Sequence, residues 1–253
     1  MRIPRVIPVL LLDKGGIYKT VKFKKPVYIG DPLNAVKIFN DKEVDELIFL
    51  DIHASANHNE PDFDYLASIA SECFMPLCYG GAISNTEQIK KLIFSGIEKV
   101  AINNTALTNP LFIKQAADKF GSSTIIVSID VSKNLFGKYQ IHNRNKVKTT
   151  FSDPIQMAEQ MNKLGAGELI INSVDRDGMM NGFDNELIKR ISSSVDIPVV
   201  ACGGAGNLSH FKPAIDSGAS AIAAGSMFVF HGVHKAVLIN YPSQAELQKC
   251  FAG

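Results

Sequence analysis

Two pairs of adjacent glycines mark places where the backbone could meet an anion. Gly80-Gly81-Ala82 and Gly203-Gly204-Ala205 lie 123 residues apart. Glycine lets main-chain N–H groups approach an oxyanion closely, and a helix starting just beyond adds a favourable dipole. Each pair has a polar companion downstream, Asn103-Asn104 after the first and Gly225-Ser226 after the second. A single such turn would read as a tight loop. Two matched ones with polar companions point to a substrate carrying a phosphate at each end. Asp130 follows the apolar run Ile125–Ile129; at a strand end its carboxylate could act as general acid or base, or it could pair with Lys133 or cap a loop. Asp175-Arg176-Asp177 can neutralise itself and reads as partly structural. Lys14, Lys19, Lys22, Lys24 and Lys25 could close over an anionic ligand, although a solvated loop carries such a run as well. His53, His58 and His142 share no spacing, and neither do Cys73, Cys78, Cys202 and Cys250. No metal and no cofactor is expected.

Positioning these groups calls for a repeated scaffold. Asp31-Pro32 recurs as Asp153-Pro154, Glu46-Leu47-Ile48 as Glu168-Leu169-Ile170, and Ser95-Gly96 as Ser217-Gly218, each 122 residues later. The repeat divides the chain into similar halves, about 1–122 and 123–242, with a tail, 243–253, that carries no motif. Short runs rich in Val and Ile predict strands at Val6–Leu12, Leu47–Asp51, Pro76–Tyr79, Lys99–Ile102, Thr124–Asp130, Glu168–Asn172, Pro198–Cys202 and Ala221–Ala224. Their nearly continuous apolarity is that of strands buried on both faces. Helix punctuation lies between them. Ser84-Asn85-Thr86-Glu87 reads as a capping box for a helix closed by Gly96. Asp153 caps a helix that buries Met157, Ala158, Met161 and Leu164 and stops at Gly165. The pattern predicts an α/β chain folded as one (β/α)₈ barrel built from two half-barrels. An open doubly wound sheet is the second choice, which the even repeat disfavours. Lys14–Lys25 reads as a loop and Phe136–Lys148 as a hairpin. In such a barrel the working face is at the C-terminal ends of the strands, where the residues above fall.

Composition narrows the function classes. The chain has 253 residues, 26 basic and 25 acidic, for a net charge of +1, which argues against nucleic acid or a membrane surface as the main partner. No apolar run approaches the roughly 20 residues of a membrane span. The N-terminus lacks a small-residue cleavage site, and unpaired cysteine usage fits the cytoplasm.

The strings VIP (6–8), GDP (30–32), DELIFLDI (45–52), GSS (121–123), SVDRDG (173–178) and CGGAGNLSHF (202–211) resemble those of the HisF family, the cyclase subunits of imidazole glycerol phosphate synthase. The likeness covers about residues 2–232. It implies a duplicated (β/α)₈ barrel and, as heterodimer partner, a HisH-type glutaminase that releases ammonia beneath the barrel. Ammonia then crosses the barrel to a bis-phosphorylated ribulosyl substrate, and imidazole glycerol phosphate and an aminoimidazole carboxamide ribotide result. Position by position, the resemblance assigns an ammonia gate to Arg5, Glu46, Lys99 and Glu168, a catalytic carboxylate to Asp130, and the lysine of a mobile loop to Lys19. It assigns phosphate binding to Gly81, Ala82, Asn103 and Asn104 in one half and to Gly178, Gly203, Gly204, Gly225 and Ser226 in the other.

The chain departs from the family at strand one. The family's first catalytic aspartate falls at Leu11, and Asp13 lies two residues on, roughly 7 Å further along an extended strand. Ala82 also stands where the family has glycine. Loss of one of two acid–base carboxylates typically removes about 10² to 10⁴ in rate. The phrases YKTVKFKKP (18–26), PLCYGG (76–81) and AVLINYP (236–242) are similar to a HisF-like branch found with surface-polysaccharide genes. That branch works with a HisH-like glutaminase and a separate amidotransferase to turn an acetamido sugar into an acetamidino sugar. Three readings follow: an ammonia-conducting subunit serving sugar amidination, a histidine-pathway cyclase using Asp130 with Asp13 or Lys19, and a non-catalytic scaffold for the glutaminase.

Overall fold

The computed structural model describes residues 3–54, 59–143, 146–149, 151–232 and 234–252. The chain opens with β1 (Arg5–Asp13), a hairpin of β2 (Gly16–Val21) and β3 (Lys24–Gly30), and α1 (Pro32–Asp41). Next come β4 (Leu47–Asp51), α2 (Phe63–Glu72), β5 (Leu77–Gly80), α3 (Thr86–Phe94), β6 (Lys99–Ile102), α4 (Asn104–Thr108) and α5 (Leu111–Phe120). The second run holds β7 (Ile125–Lys133), β8 (Tyr139–Ile141), α6 (Pro154–Lys163), β9 (Glu168–Ser173) and α7 (Asn185–Ser192). It continues with β10 (Val199–Cys202), α8 (Phe211–Asp216), β11 (Ala221–Ala224) and α9 (Ser226–Val229). A small hairpin, β12 (Phe230–His231) and β13 (Ala236–Val237), and a last helix, α10 (Gln244–Ala252), complete the chain.

Strands β1, β4, β5, β6, β7, β9, β10 and β11 pair in parallel in that order, and β11 returns to β1 through Arg5↔Ala221 and Val6↔Ile222. The sheet is a closed (β/α)₈ barrel. Alternate residues of each strand face opposite sides. Ile7, Val9, Ile48, Cys78, Ala101, Ile126, Ile170 and Val200 fill the barrel axis, while Val6, Leu10, Phe49, Tyr79, Val100 and Leu169 pack outward under the helices. Burial on both faces is why the strands read as unbroken apolar runs.

Local punctuation acts largely as expected. Asp153 accepts the Ile155 N–H at 2.8 Å, and the left-handed Gly96 and Gly165 follow the ends of their helices. The α3 cap sits one residue later than the sequence suggests: Asn85 accepts the Gln88 N–H at 2.9 Å, and the Gln88 side chain reaches back to the Ser84 N–H at 2.8 Å. One element corrects the sequence reading, and another goes beyond it. Residues 14–25 are not a loop but most of the β2–β3 hairpin, which continues β1 through Leu12↔Ile17 and Asp13↔Gly16. Its tip places Lys22 and Phe23 at φ 52° and 60°, a turn geometry that normally announces itself by Asn-Gly. The tail after Ser243 is helical, with Leu247 fully buried and the Phe251 ring stacked on Phe211 at 6.3 Å. Leu247→Ala should therefore cost about 2 to 5 kcal/mol in urea unfolding, the range for a buried leucine truncated in a close-packed core. A tail that merely trails from the barrel would leave the midpoint unchanged.

Candidate active site at the barrel axis

The inward parity of the barrel strands stacks three layers along its axis. At the N-terminal ends, β1, β6 and β9 begin with Arg5, Lys99 and Glu168, and Glu46 directly precedes β4. Their side chains form a closed ring. Arg5 pairs with both Glu46 and Glu168, and Lys99 Nζ lies 2.8 Å from Glu46 Oε2 and 3.6 Å from Glu168 Oε2. The carboxylates are nearly sealed, at 2% and 8% side-chain exposure, whereas the two cations reach solvent beneath. Burial opposes the charge on Arg5, but the two glutamates outweigh it and leave its pKa above the usual value. Such burial of charge is tolerable only because each ion has partners. Above the ring the axis is apolar.

At the C-terminal ends the axis opens into a cavity. Gly81, Ala82, Asn103, Asn104, Gly178, Gly203, Gly204, Gly225 and Ser226 all line it, together with Asp130, Lys19 and Leu11. Positive φ recurs 122 residues apart, though at different values: Gly81 and Ala82 have φ 151° and 52°, Gly203 and Gly204 have φ 83° and 114°. Asn103 and Gly225 likewise share φ near −119° and −113° where α4 and α9 begin. The structural register is thus 122 at the glycine turns as well, one residue from the 123 at which their letters match. Ala82 takes the left-handed conformation that glycine adopts freely, at a cost of roughly 1 kcal/mol.

Asp130 is held at both oxygens. Asn103 Nδ2 donates to Oδ2 and Asn172 Nδ2 to Oδ1, each at 3.1 Å. Asn103 also donates to the Ser128 carbonyl at 2.9 Å, so its amide is shared between that carbonyl and Asp130. Lys133 lies elsewhere, 3.7 Å from Asp184. Asn172 escaped the sequence reading, although parity marks it: Glu168, Ile170 and Asn172 are alternate residues of one strand and must share the inward face.

Lys19 projects from β2 into the cavity wall, buried, with Nζ 2.5 Å from the Val9 carbonyl. A Cβ at Gly225 would lie 1.8 Å from that amine, so only glycine admits it. Burial lowers the Lys19 pKa to about 8 against the opposing pull of Asp177. Asp177 fastens the hairpin over the cavity: its carboxylate accepts from Thr20 Oγ1 at 3.1 Å and Phe23 N–H at 3.3 Å, and its carbonyl accepts from Lys22 N–H at 3.0 Å. Burial raises the Asp177 pKa despite Lys19 and these donors. The three-residue string is not self-neutralising. Arg176 donates to the Gly182 carbonyl at 3.1 Å, and Asp175 accepts the Lys133 N–H at 2.7 Å.

Asp13 does not reach the cavity. It sits 3.1 Å from His53 Nδ1, while Leu11 occupies the inward position of β1. His142 stands edge-on to Phe23 at 5.5 Å, and His58 lies outside the described residues. Among the described residues no group of three or more His, Cys, Asp or Glu is placed to hold a metal ion, and no helix is long and apolar enough to cross a membrane.

A barrel with a four-charge floor and paired glycine turns has relatives. Residues 5–234 match the family model described as histidine biosynthesis protein. A Pseudomonas aeruginosa protein provisionally named imidazole glycerol phosphate synthase subunit hisF2 is 49% identical over 244 residues, 96% of this chain and 97% of that one. The chain belongs to the HisF family. Another provisionally named HisF subunit, from Leptospira borgpetersenii, is 46% identical over 98% of both chains. The imidazole glycerol phosphate synthase subunit HisF of Streptomyces coelicolor is 37% identical over 89% of this chain and 90% of its own. The names of these relatives make them subunits of imidazole glycerol phosphate synthase.

The buried amine gives a pH test. Because folding lowers the Lys19 pKa from 10.5 to about 8, the folded state carries a desolvation penalty that is full below pH 8 and gone above 10.5. Lys19→Met removes that penalty. Its stability relative to the parent chain should fall by up to about 3 kcal/mol between pH 8 and 10.5. Denaturant unfolding across that window checks it, and a pH-independent difference would contradict the burial.

Proposed function

We propose that this chain is a HisF-type synthase subunit that receives ammonia from a HisH-type glutaminase docked beneath the barrel and delivers it along the axis to a sugar-derived acceptor. The product would be an acetamidino sugar for surface-polysaccharide biosynthesis, made in the cytoplasm with a separate amidotransferase. The observation that carries this reading is a contrast between the two ends of the axis. The four-charge ring is complete at the floor, while at the mouth Leu11 holds the inward β1 position where the family resemblance puts its first catalytic aspartate, and Asp13 lies outside the cavity, 3.1 Å from His53 Nδ1.

The chemistry follows from the layers. Ammonium would pay heavily to leave water for an apolar axis, whereas neutral ammonia crosses at little cost. The ring of Arg5, Glu46, Lys99 and Glu168 is the gate that admits it. At the exit, Asp130 accepts a hydrogen bond or a proton from the arriving nitrogen, with Asn103 and Asn172 fixing the carboxylate. Lys19 and the two glycine turns supply positive charge and N–H groups for phosphate oxygens at either side of the mouth.

A second reading, the imidazole glycerol phosphate synthase cyclase itself, is favoured by Lys19 and all the expected phosphate positions lining one cavity. Cyclisation of the bis-phosphorylated ribulosyl substrate with free ammonium separates the two. We expect turnover about 10² to 10⁴ below that of a cyclase with both carboxylates, partly recovered by Leu11→Asp. We also expect glutamine-dependent acetamidino-sugar formation when the glutaminase and amidotransferase are supplied. Full cyclase turnover by the unaltered chain would overturn the preferred reading.

A further inference from the structure

The phrase AVLINYP has no part in the site, yet its tyrosine reaches the barrel floor. β1 pairs with β11 from Arg5 onward but with β4 only from Val9 onward. The edge of β1 that faces β4 therefore has no strand partner at Val6, directly beside the ring residue Arg5. A buried backbone group left unpaired there would be costly. Two side chains replace the missing strand. The Val6 N–H donates to Asp45 Oδ2 at 2.9 Å, and the Val6 carbonyl accepts from the Tyr241 hydroxyl at 2.7 Å. The same hydroxyl stands 3.4 Å from Asp45 Oδ2, which closes a triangle. Asp45 directly precedes the ring residue Glu46. One triangle thus fixes the two chain segments that carry Arg5 and Glu46, and neither Tyr241 nor Asp45 belongs to the ring.

The C-terminal segment is built to deliver that hydroxyl. Leu238 N–H donates to the Val229 carbonyl at 3.0 Å and Asn240 N–H to the Phe228 carbonyl at 2.9 Å, so residues 238–240 run along α9. The Tyr241 ring is 4% exposed and packs 5.3 Å from that of Phe228. Helix α10 then anchors the end of the chain on Phe211. The family match stops at residue 234, short of Tyr241 and the segment that carries it.

We propose that Tyr241 is a positioning residue for the four-charge ring: through Val6 and Asp45 it sets the spacing of Arg5 and Glu46, and so the tightness with which the floor passes ammonia from the glutaminase. The inference rests on the ring serving as an ammonia gate. It predicts that loosening the triangle lets ammonia escape at the floor without harming chemistry at the mouth.

The test uses the full chain with its glutaminase and amidotransferase, and compares product formed from glutamine with product formed from ammonium chloride. In Tyr241→Phe, which keeps the ring packing, the glutamine-to-ammonium ratio should fall about threefold, the size of effect a coupling residue has. Ammonium-supported turnover and glutamine hydrolysis should stay as they were. Asp45→Ala should lower the ratio likewise, whereas Asp45→Asn, which keeps an oxygen for the Val6 N–H, should preserve it; this pair carries the test if Tyr241→Phe does not fold. A normal ratio in Tyr241→Phe alongside a lowered one in Lys99→Ala would overturn the inference and leave the gate standing. So would equal loss of both activities in Tyr241→Phe, the mark of a packing role alone. A normal ratio in Lys99→Ala as well would remove the gate reading itself.

Discussion

Four charges that satisfy one another at the bottom of a barrel set the terms for everything above them. Arg5 and Lys99 bridge Glu46 and Glu168, which are sealed from solvent. Two carboxylates removed from water are stable only with both partly exposed cations beside them, because losing a cation leaves an uncompensated buried charge. The ring therefore demands that four strands start at one level. It also fixes the inward parity of those strands, and parity carries the requirement upward. Arg5 implies Ile7, Val9 and Leu11 on the axis; Glu168 implies Ile170 and Asn172; the same alternation on β7 brings Ile126 and Ser128 up to Asp130. Floor, apolar axis and mouth are one consequence of period-two geometry in a closed sheet.

The mouth is where that frame is used asymmetrically. Asp130 is gripped by two amides that keep its oxygens aimed, while the facing position on β1 holds a leucine. The hairpin after β1 bends over the opening and inserts Lys19 against Gly225, held down by Asp177. Asp130, a buried amine of lowered pKa and paired glycine turns line the mouth, with the carboxylates of Asp51 and Asp177 in its wall.

Much of this was legible in the residues. The eight barrel strands could be read because double burial leaves apolar runs with little interruption, whereas the four ring residues came from the family resemblance alone. The β2–β3 hairpin could not, since Lys22 and Phe23 turn the chain in left-handed geometry without the asparagine or glycine that usually permits it. Its register is instead held from outside, by Asp177 from a loop more than 150 residues away. Helix α10 was hidden because it buries only Leu247 and Phe251, too few apolar residues to show a periodic face. Parity marked Asn172, but Tyr241 meets Val6 and Asp45 from more than 190 residues away, a contact no local pattern records.

The central claim is that nitrogen travels through the protein rather than around it. Its most direct measurement supplies the assembled complex with amide-¹⁵N glutamine in the presence of excess unlabelled ammonium and reads the isotope in the aminated product. Conduction along the axis predicts product enriched in ¹⁵N well above the bulk ammonium pool. Product with the isotope ratio of the bulk pool would contradict it.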